Sequence, residues 1–220
     1  MSFYLMLDLL IIGFPLLFGF LPPVRYYKRI KALMSAILVV GIPFVVWDIV
    51  FTKTGVWAFN PDFVSGVKFA SLPVEELLFF VVVPYSCLFI LECLNVFFKD
   101  RALKVNRKWI YAVAAIILIF GLFFADRLYT VLVAELAALF LILIEKYYKA
   151  LFASRNFWTY MLIGFGLFFG FNYVLTSLPV VTYSALHISN IRAGTIPVED
   201  FLYNFVLLGA YAAAYSALKK

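Results

Sequence analysis

The chain has 220 residues, of which 66% are hydrophobic and 14% are charged, and its mean hydropathy is +1.04. Soluble domains contain about 45–50% apolar and about 25% charged residues, so this composition excludes an ordinary soluble protein. The net charge of +6 does not indicate nucleic-acid binding, because the basic residues lie between hydrophobic segments rather than on one polar surface.

Seven apolar segments are long enough to cross a bilayer, since a spanning helix needs about 20 residues at about 1.5 Å per residue. In chain order they lie near residues 2–21, 32–51, 73–98, 109–125, 129–147, 157–178 and 197–218. The first contains Asp8 and lacks a basic leading segment and a cleavage site, so we interpret it as a retained helix and not as a signal peptide. The sequence predicts an all-α integral membrane protein with about seven transmembrane helices.

The basic residues concentrate in alternate loops. Fourteen of the 18 follow spans one, three, five or seven, and the other four are Lys53, Lys68, Arg127 and Arg192. Cytoplasmic loops of membrane proteins are enriched in Lys and Arg. We therefore expect a multi-pass protein of the cell (inner) membrane, with its N-terminus outside and its C-terminus in the cytoplasm.

An internal repeat relates the two halves of the chain. Residues 71–76 read Ser-Leu-Pro-Val-Glu-Glu, and residues 195–200 read Thr-Ile-Pro-Val-Glu-Asp, at an offset of 124 residues. At the same offset, Asp48 corresponds to Asn172. Four membrane crossings separate equivalent spans, so the two copies have the same orientation and form a parallel repeat.

This repeat predicts a division of the chain into three parts. We expect a first repeat at residues 1–108 with spans one to three, a connector span at 109–128, and a second repeat at 129–220 with spans five to seven. The connector lets the second copy begin on the correct side of the membrane. It has no counterpart in the repeat.

The acidic pairs Glu75-Glu76 and Glu199-Asp200 lie at the start of two apolar spans. Proline as the first helical residue and an acid in the first turn favour a helix start, so capping alone is one explanation. Charges inside apolar spans are costly and usually functional, which favours catalysis. Neighbouring helical residues point about 100° apart, so one acid of each pair can face a shared cavity. We expect Glu75 and Glu199 to do so, with Glu76 and Asp200 orienting them.

Aromatic residues surround these acids in the sequence. Aromatic faces stabilise cations in sites without water, although an interfacial aromatic belt is the alternative interpretation. The candidate substrate-binding or cation-stabilising residues are Trp57, Phe59, Asn60, Phe79, Phe80, Tyr203, Asp48, Asn172 and Arg192. The spacing of Gly166 and Gly170 predicts close packing of span six. The single histidine, His187, has no Cys, Asp or Glu at ligand spacing, so we expect no metal site.

Three runs resemble the integral-membrane lycopene cyclases: residues 57–60 (Trp-Ala-Phe-Asn), 72–80 (Leu-Pro-Val-Glu-Glu-Leu-Leu-Phe-Phe) and 196–203 (Ile-Pro-Val-Glu-Asp-Phe-Leu-Tyr). These non-flavoprotein carotenoid cyclases occur as two small subunits in some bacteria and as one tandem chain elsewhere. The resemblance covers roughly residues 40–218 and indicates a single-chain tandem member. It implies that the substrate is lycopene or a related acyclic carotenoid taken from the bilayer.

The family resemblance also implies a reaction and its catalytic groups. The ψ end groups of lycopene would be cyclised to β-ionone rings without net redox change, giving β-carotene via γ-carotene, as an intramolecular lyase of the isomerase class does. The catalytic acids would be Glu75, Glu76, Glu199 and Asp200. Protonation of an alkene, ring closure and loss of a proton require no cofactor in principle.

The main alternative is a proton-coupled membrane carrier, because intramembrane acids also serve proton relays. Carriers commonly contain inverted repeats or broken helices, whereas this repeat is parallel. A retinal-binding photoreceptor would need a lysine inside the last span, which has none before Lys219. A prenyltransferase would need aspartate-rich clusters for Mg²⁺, and the sequence has none.

Overall fold

The computed structural model describes residues 1–219. Its helices are α1 (Phe3–Phe18), α2 (Ile30–Lys53), α3 (Val74–Phe97), α4 (Arg107–Phe123), α5 (Leu128–Tyr147), the short α6 (Lys149–Phe152), α7 (Arg155–Ser177) and α8 (Val198–Leu218). A 3-10 turn at Tyr26–Arg29 leads into α2. The short strands are β1 (Trp57–Phe59), β2 (Lys68–Phe69), β3 (Leu72–Pro73), β4 (Val181–Tyr183), β5 (Arg192–Ala193) and β6 (Ile196–Pro197).

Every predicted apolar span is helical, and most helix boundaries lie within two or three residues of the prediction. Within residues 1–219, five helices are long and apolar enough to cross a membrane: α2 with its leading turn, α3, α5, α7 and α8. The chain is therefore a multi-pass membrane protein. Helices α1 and α4 have 16 and 17 residues and are shorter. The count of seven spans stays a prediction.

The six strands were not predicted, and they form three two-stranded antiparallel pairs. Hairpins β2–β3 and β5–β6 directly precede α3 and α8. The sequence analysis expected Pro73 and Pro197 to be the first helical residues. They are instead the last residues of these hairpins and directly precede the helices. Gly194 turns the second hairpin with a φ of 65°, a conformation that glycine adopts readily.

The third pair, which we call the ribbon, joins β1 to β4 with Ala58 opposite Thr182. These two residues are 124 positions apart, which is the offset of the sequence repeat. The two flanking hydrogen bonds are related by the same offset of 124. Asn60 N donates to Val180 O and the equivalent Ser184 N donates to Val56 O, both at 2.9 Å. The ribbon is therefore locally twofold symmetric about Ala58 and Thr182.

The helices pack in a crossed arrangement. Helix α1 packs on α3, and α5 packs on α8. Helix α2 packs on both α3 and α8, while α7 packs on both α8 and α3. Helix α4 packs mainly on α5 at the periphery. The main buried cluster accordingly combines residues of α2, α3, α5, α7 and α8.

The expected close packing through Gly166 and Gly170 is wrong. Both residues are exposed on α7, and a Cβ at either position would have no atom within 4 Å. Close packing of α7 occurs instead at Gly164, where a Cβ would lie 2.6 Å from Leu208 Cδ1 of α8. The residue that faces a neighbouring helix is set by the rotation of α7 and not by the glycine spacing alone.

Candidate active site

A cavity of about 600 Å³ lies between α1, α3, α7 and α8. The inner side of the ribbon closes one end through Trp57, Phe59, Val181 and Tyr183, while Ala58 and Thr182 point outwards. Apart from three carboxylic acids, Asp48, Glu76 and Asp200, the described wall carries no Asp, Glu, Lys, Arg or His. All three lie near the ends of their helices beside the ribbon, and we call this the acid end.

Glu76 is a buried carboxyl group on the first turn of α3. Tyr4 of α1 donates its hydroxyl to Glu76 Oε2 at 2.5 Å. The Asp48 carboxyl of α2 lies next to the Glu76 carboxyl, with the Thr52 hydroxyl also nearby. Two carboxylates in contact repel each other, so this contact becomes a hydrogen bond only when one of them carries a proton.

Asp200 is the counterpart of Glu76 on α8, but its surroundings differ. It accepts hydrogen bonds from the Tyr129 hydroxyl at 2.9 Å, the Tyr183 hydroxyl at 2.7 Å and the Asn172 amide at 2.9 Å. Burial and the neighbouring Asp200 carboxylate raise the pKa of Tyr183 well above its usual value, so this loop hydroxyl stays protonated and donates. These three donors offset part of the cost of burying a negative charge on Asp200.

The ribbon connects the two acid clusters. Trp57 Nε1 donates to Asp48 Oδ1 at 2.6 Å, and the hydroxyl of Tyr183 donates to Asp200. Trp57 and Tyr183 are direct partners in the ribbon, with ring centroids 6.1 Å apart. One strand thus holds an acid of the first half of the chain and the other holds an acid of the second half, in a single cavity.

Glu75 and Glu199 do not line the cavity, although the sequence analysis expected them to face it. Each is fully buried behind its helix start, where it ties a loop in place. Glu75 Oε1 accepts from Ser65 N and Ser2 Oγ, both at 2.6 Å. Glu199 Oε1 accepts from Ser189 N at 2.6 Å and Thr130 Oγ1 at 2.5 Å. The structure therefore reverses the expected order within each acidic pair.

Most of the other predicted residues lie at the cavity. Phe59, Phe79, Phe80, Tyr203 and Asn172 line its wall together with the acids. Two do not.

Asn60 lies in the loop after β1, where its Oδ1 accepts from Asp62 N at 3.0 Å. Arg192 is exposed, and its Nη1 donates to Thr195 O at 2.6 Å within the second hairpin. Neither side chain lines the cavity, so the expected contribution of these two residues to substrate binding stays a prediction.

Two residues that hydrogen-bond to the cavity acids were missed by the sequence analysis. Tyr4 and Tyr129 stand at the starts of α1 and α5 and donate to the two cavity acids. Their backbone amides also have equivalent partners, since Tyr4 N donates to Phe63 O and Tyr129 N donates to His187 O. A tyrosine at the start of each of two apolar spans was the available signal.

Potential ligands for a metal ion or cofactor are few. No group of three or more His, Cys, Asp and Glu residues that could hold a metal occurs within residues 1–219. The two cysteines, Cys87 and Cys93, are free thiols on the cavity wall. The acids at the ribbon are therefore the carboxyl groups that the described wall offers for acid–base chemistry in the cavity.

The cavity opens sideways between α1 and α7. Near the acid end, Tyr4 and Leu7 of α1 and Leu175 of α7 belong to one buried cluster. Further along, Phe14 of α1 is 61% exposed and Leu167 of α7 is 44% exposed, although both line the cavity. In a bilayer, this opening faces lipid.

An apolar, lipid-facing cavity with carboxyl groups at one end defines a membrane-embedded acid–base site for a lipophilic molecule. A family model described as lycopene cyclase matches residues 1–94 and 126–218, which together form most of the chain. The protein therefore belongs to the lycopene cyclase family and is an enzyme of carotenoid biosynthesis that cyclises a carotenoid substrate. No curated protein and no solved structure matches the chain.

Proposed function

We propose that the protein is a lycopene β-cyclase that closes both ψ end groups of lycopene into β-ionone rings. The observation that carries this proposal is the presence of two unlike carboxyl clusters at one end of a single apolar cavity. Glu76 lies beside a second carboxyl group, Asp48, with which it can share a proton, whereas Asp200 is held by three hydrogen-bond donors. One cluster suits a proton donor and the other suits a proton acceptor.

Ring closure then follows in three steps. Glu76, paired with Asp48, transfers a proton to the terminal alkene and leaves a tertiary carbocation. The π electrons of the internal alkene attack this cation, which forms the ring bond and moves the positive charge into the ring. Asp200 removes a ring proton, and the electron pair of that C–H bond becomes the ring double bond. One proton is added and one is lost, so the reaction is redox-neutral.

The surroundings of the acids favour the cationic intermediates. Phe79, Phe80 and Tyr203 line the wall beside the carboxyl groups. Aromatic faces attract cations, and the attraction is stronger where water is excluded. Groups that are fixed before the reaction stabilise the charged transition state more than the neutral substrate. We assign to Glu75 and Glu199 the positioning of the two helix starts.

We infer that the two halves of the chain form one composite site. Helices α1–α3 and helices α5, α7 and α8 would be two copies of one unit, with α4 as the connector and seven spans in all. The twofold symmetry of the ribbon supports this arrangement. In this reading each half contributes a different acid to the same end group, so the monocyclic product has to leave, reverse and re-enter.

A proton-coupled carrier is the alternative function. It would require ionisable or hydrated groups along a path across the membrane. In the described cavity the carboxylic acids are confined to one end, and the wall beyond them is almost entirely apolar. This distribution favours chemistry at one end over proton transport along the cavity.

The proposal is tested with pure protein. Detergent-purified enzyme supplied with lycopene, lipid and a metal chelator, but no flavin or nicotinamide, is expected to form monocyclic and then bicyclic β-ring products. Expression in a lycopene-accumulating host with pigment analysis provides the same readout in cells. Strict dependence on a flavin, or ε-ring products, would contradict the proposed reaction.

The orientation in the membrane is a second prediction. The acid-end loops carry few basic residues, so we expect them to lie outside and the opposite loops to lie in the cytoplasm. A cysteine introduced by Asn60→Cys in a variant without Cys87 and Cys93 should react with a membrane-impermeant thiol reagent from outside. Lys104→Cys in the same background is the matched control and should react only after the membrane is opened. The reverse pattern would overturn the assignment.

A further inference from the structure

The cavity continues far beyond the acids. Along α3 its wall runs from Glu76 past Cys87, Ile90 and Cys93 to Phe98. The helical part of this wall, from Glu76 to Phe97, is about 32 Å long at about 1.5 Å per residue. Ring closure at the acid end involves only the last few carbon atoms of a substrate, so most of this length has no role in the proposed chemistry.

Hydrogen bonds hold the far end of the cavity in a fixed position. Asn156, a buried residue on the first turn of α7, donates its amide to Leu94 O at 3.2 Å and to Phe98 O at 3.1 Å. The same amide donates to Asn95 Oδ1 at 3.2 Å. The two amide hydrogens are shared among these three acceptors, and the contacts fix the last turn of α3 against α7.

We propose that Ile90, Cys93, Leu94, Phe98 and Phe14 form a distal subsite that binds the end group that is not reacting. The proposal rests on the proposed function, because it assumes a long polyene with two end groups. An extended C40 chain is roughly as long as the hydrocarbon layer, about 30 Å, which matches the run of the cavity along α3. The purely apolar wall suits an end group that carries no polar atom.

The distal subsite receives a different group in each round. In the first round it holds an open end group, and after the product has reversed it holds the finished ring. A ring is wider than an open chain at the same position, so the subsite has to be wide enough for both. The width at Cys93, a small side chain on this wall, thereby controls whether the second ring forms.

The test narrows the subsite with Cys93→Phe. The ratio of monocyclic to bicyclic product is expected to rise at least tenfold, because the ring formed first no longer fits at the far end. Val96→Phe is the matched control on the same helix, since Val96 is 41% exposed and does not line the cavity. It should leave the ratio unchanged. A wild-type ratio in Cys93→Phe that is present in the membrane would overturn the proposal.

A measurement on the unaltered enzyme decides the question even if Cys93→Phe does not fold. A half-length analogue with one ψ end group cannot reach the distal subsite, so its KM, expressed as mole fraction in lipid, should be at least tenfold above that of lycopene. If the analogue and lycopene had equal KM values and both formed rings, the distal subsite would be overturned and the proposed function would stand. Failure of the wild type to form any ring from lycopene would instead contradict the proposed function.

Discussion

Replacement of Glu76 by glutamine is expected to lower the rate of ring formation by about 100-fold to 10,000-fold, the usual contribution of a positioned acid. Glutamine has nearly the size of glutamate and can still accept the hydrogen bond from Tyr4. It cannot release a proton to the alkene. The measurement is the initial rate of monocyclic product in purified enzyme, at equal amounts of folded protein.

The control for this variant is Glu135→Gln. Glu135 is exposed on α5 and does not line the cavity, so the same substitution there should leave the rate within twofold, a margin of about 0.4 kcal/mol. A near-normal rate in Glu76→Gln would remove this residue as the donor. If Asp48→Asn alone abolished activity in that case, Asp48 would be the group that transfers the proton of the pair.

Asp200→Asn is the second variant with a large expected effect, again about 100-fold to 10,000-fold. The amide keeps the size of the side chain but cannot accept a proton as a base. The three donors around Asp200 also lose the anion that they stabilise, so some stability is lost as well. Asp126→Asn, in an exposed loop at the same end of the helices, is the matched control.

This second variant also tests whether the site is composite. If both halves act on one end group, Asp200→Asn blocks the first ring as strongly as the second. The wild type should then show a transient monocyclic intermediate in a time course. Steady accumulation of monocyclic product at a normal first-ring rate in either Glu76→Gln or Asp200→Asn would mean that each half has a site of its own.

The helical segments and the positions of the acids could be predicted because their signals are local. A run of about 20 apolar residues specifies a helix regardless of its neighbours. The acidic pairs are also a local signal, because charged side chains in an apolar segment cost free energy and usually indicate a functional site. The structure retains all of these segments and brings Asp48, Glu76 and Asp200 to one end of a cavity.

The choice within each acidic pair could not be made from the sequence. Glu75 and Glu76 differ by about 100° around the helix, and only the packing of α3 against its neighbours determines which one reaches the cavity. Glu75 turns towards Ser65 and Ser2, whose positions depend on a loop and on α1. The same limitation explains the wrong expectation for Gly166 and Gly170.

The tyrosine donors and the ribbon depend on contacts between distant parts of the chain. Tyr4 lies 72 residues from Glu76, and Tyr129 lies 71 residues from Asp200. Strands of two or three residues are too short for a recognisable alternating pattern. The ribbon also pairs residues 124 positions apart, so no local feature of either strand specifies its partner.

The ribbon has a consequence for the fate of the catalytic proton. It covers the acid end with Trp57 and Tyr183, so bulk water does not reach the carboxyl groups directly. In the proposed reaction, Asp200 takes one proton from the ring for each proton that Glu76 has given to the alkene. Since this cover separates the acids from outside water, we expect the proton to return from Asp200 to Glu76 within the site rather than to exchange with water. In heavy water, successive products of one enzyme molecule would therefore carry less deuterium than the solvent does.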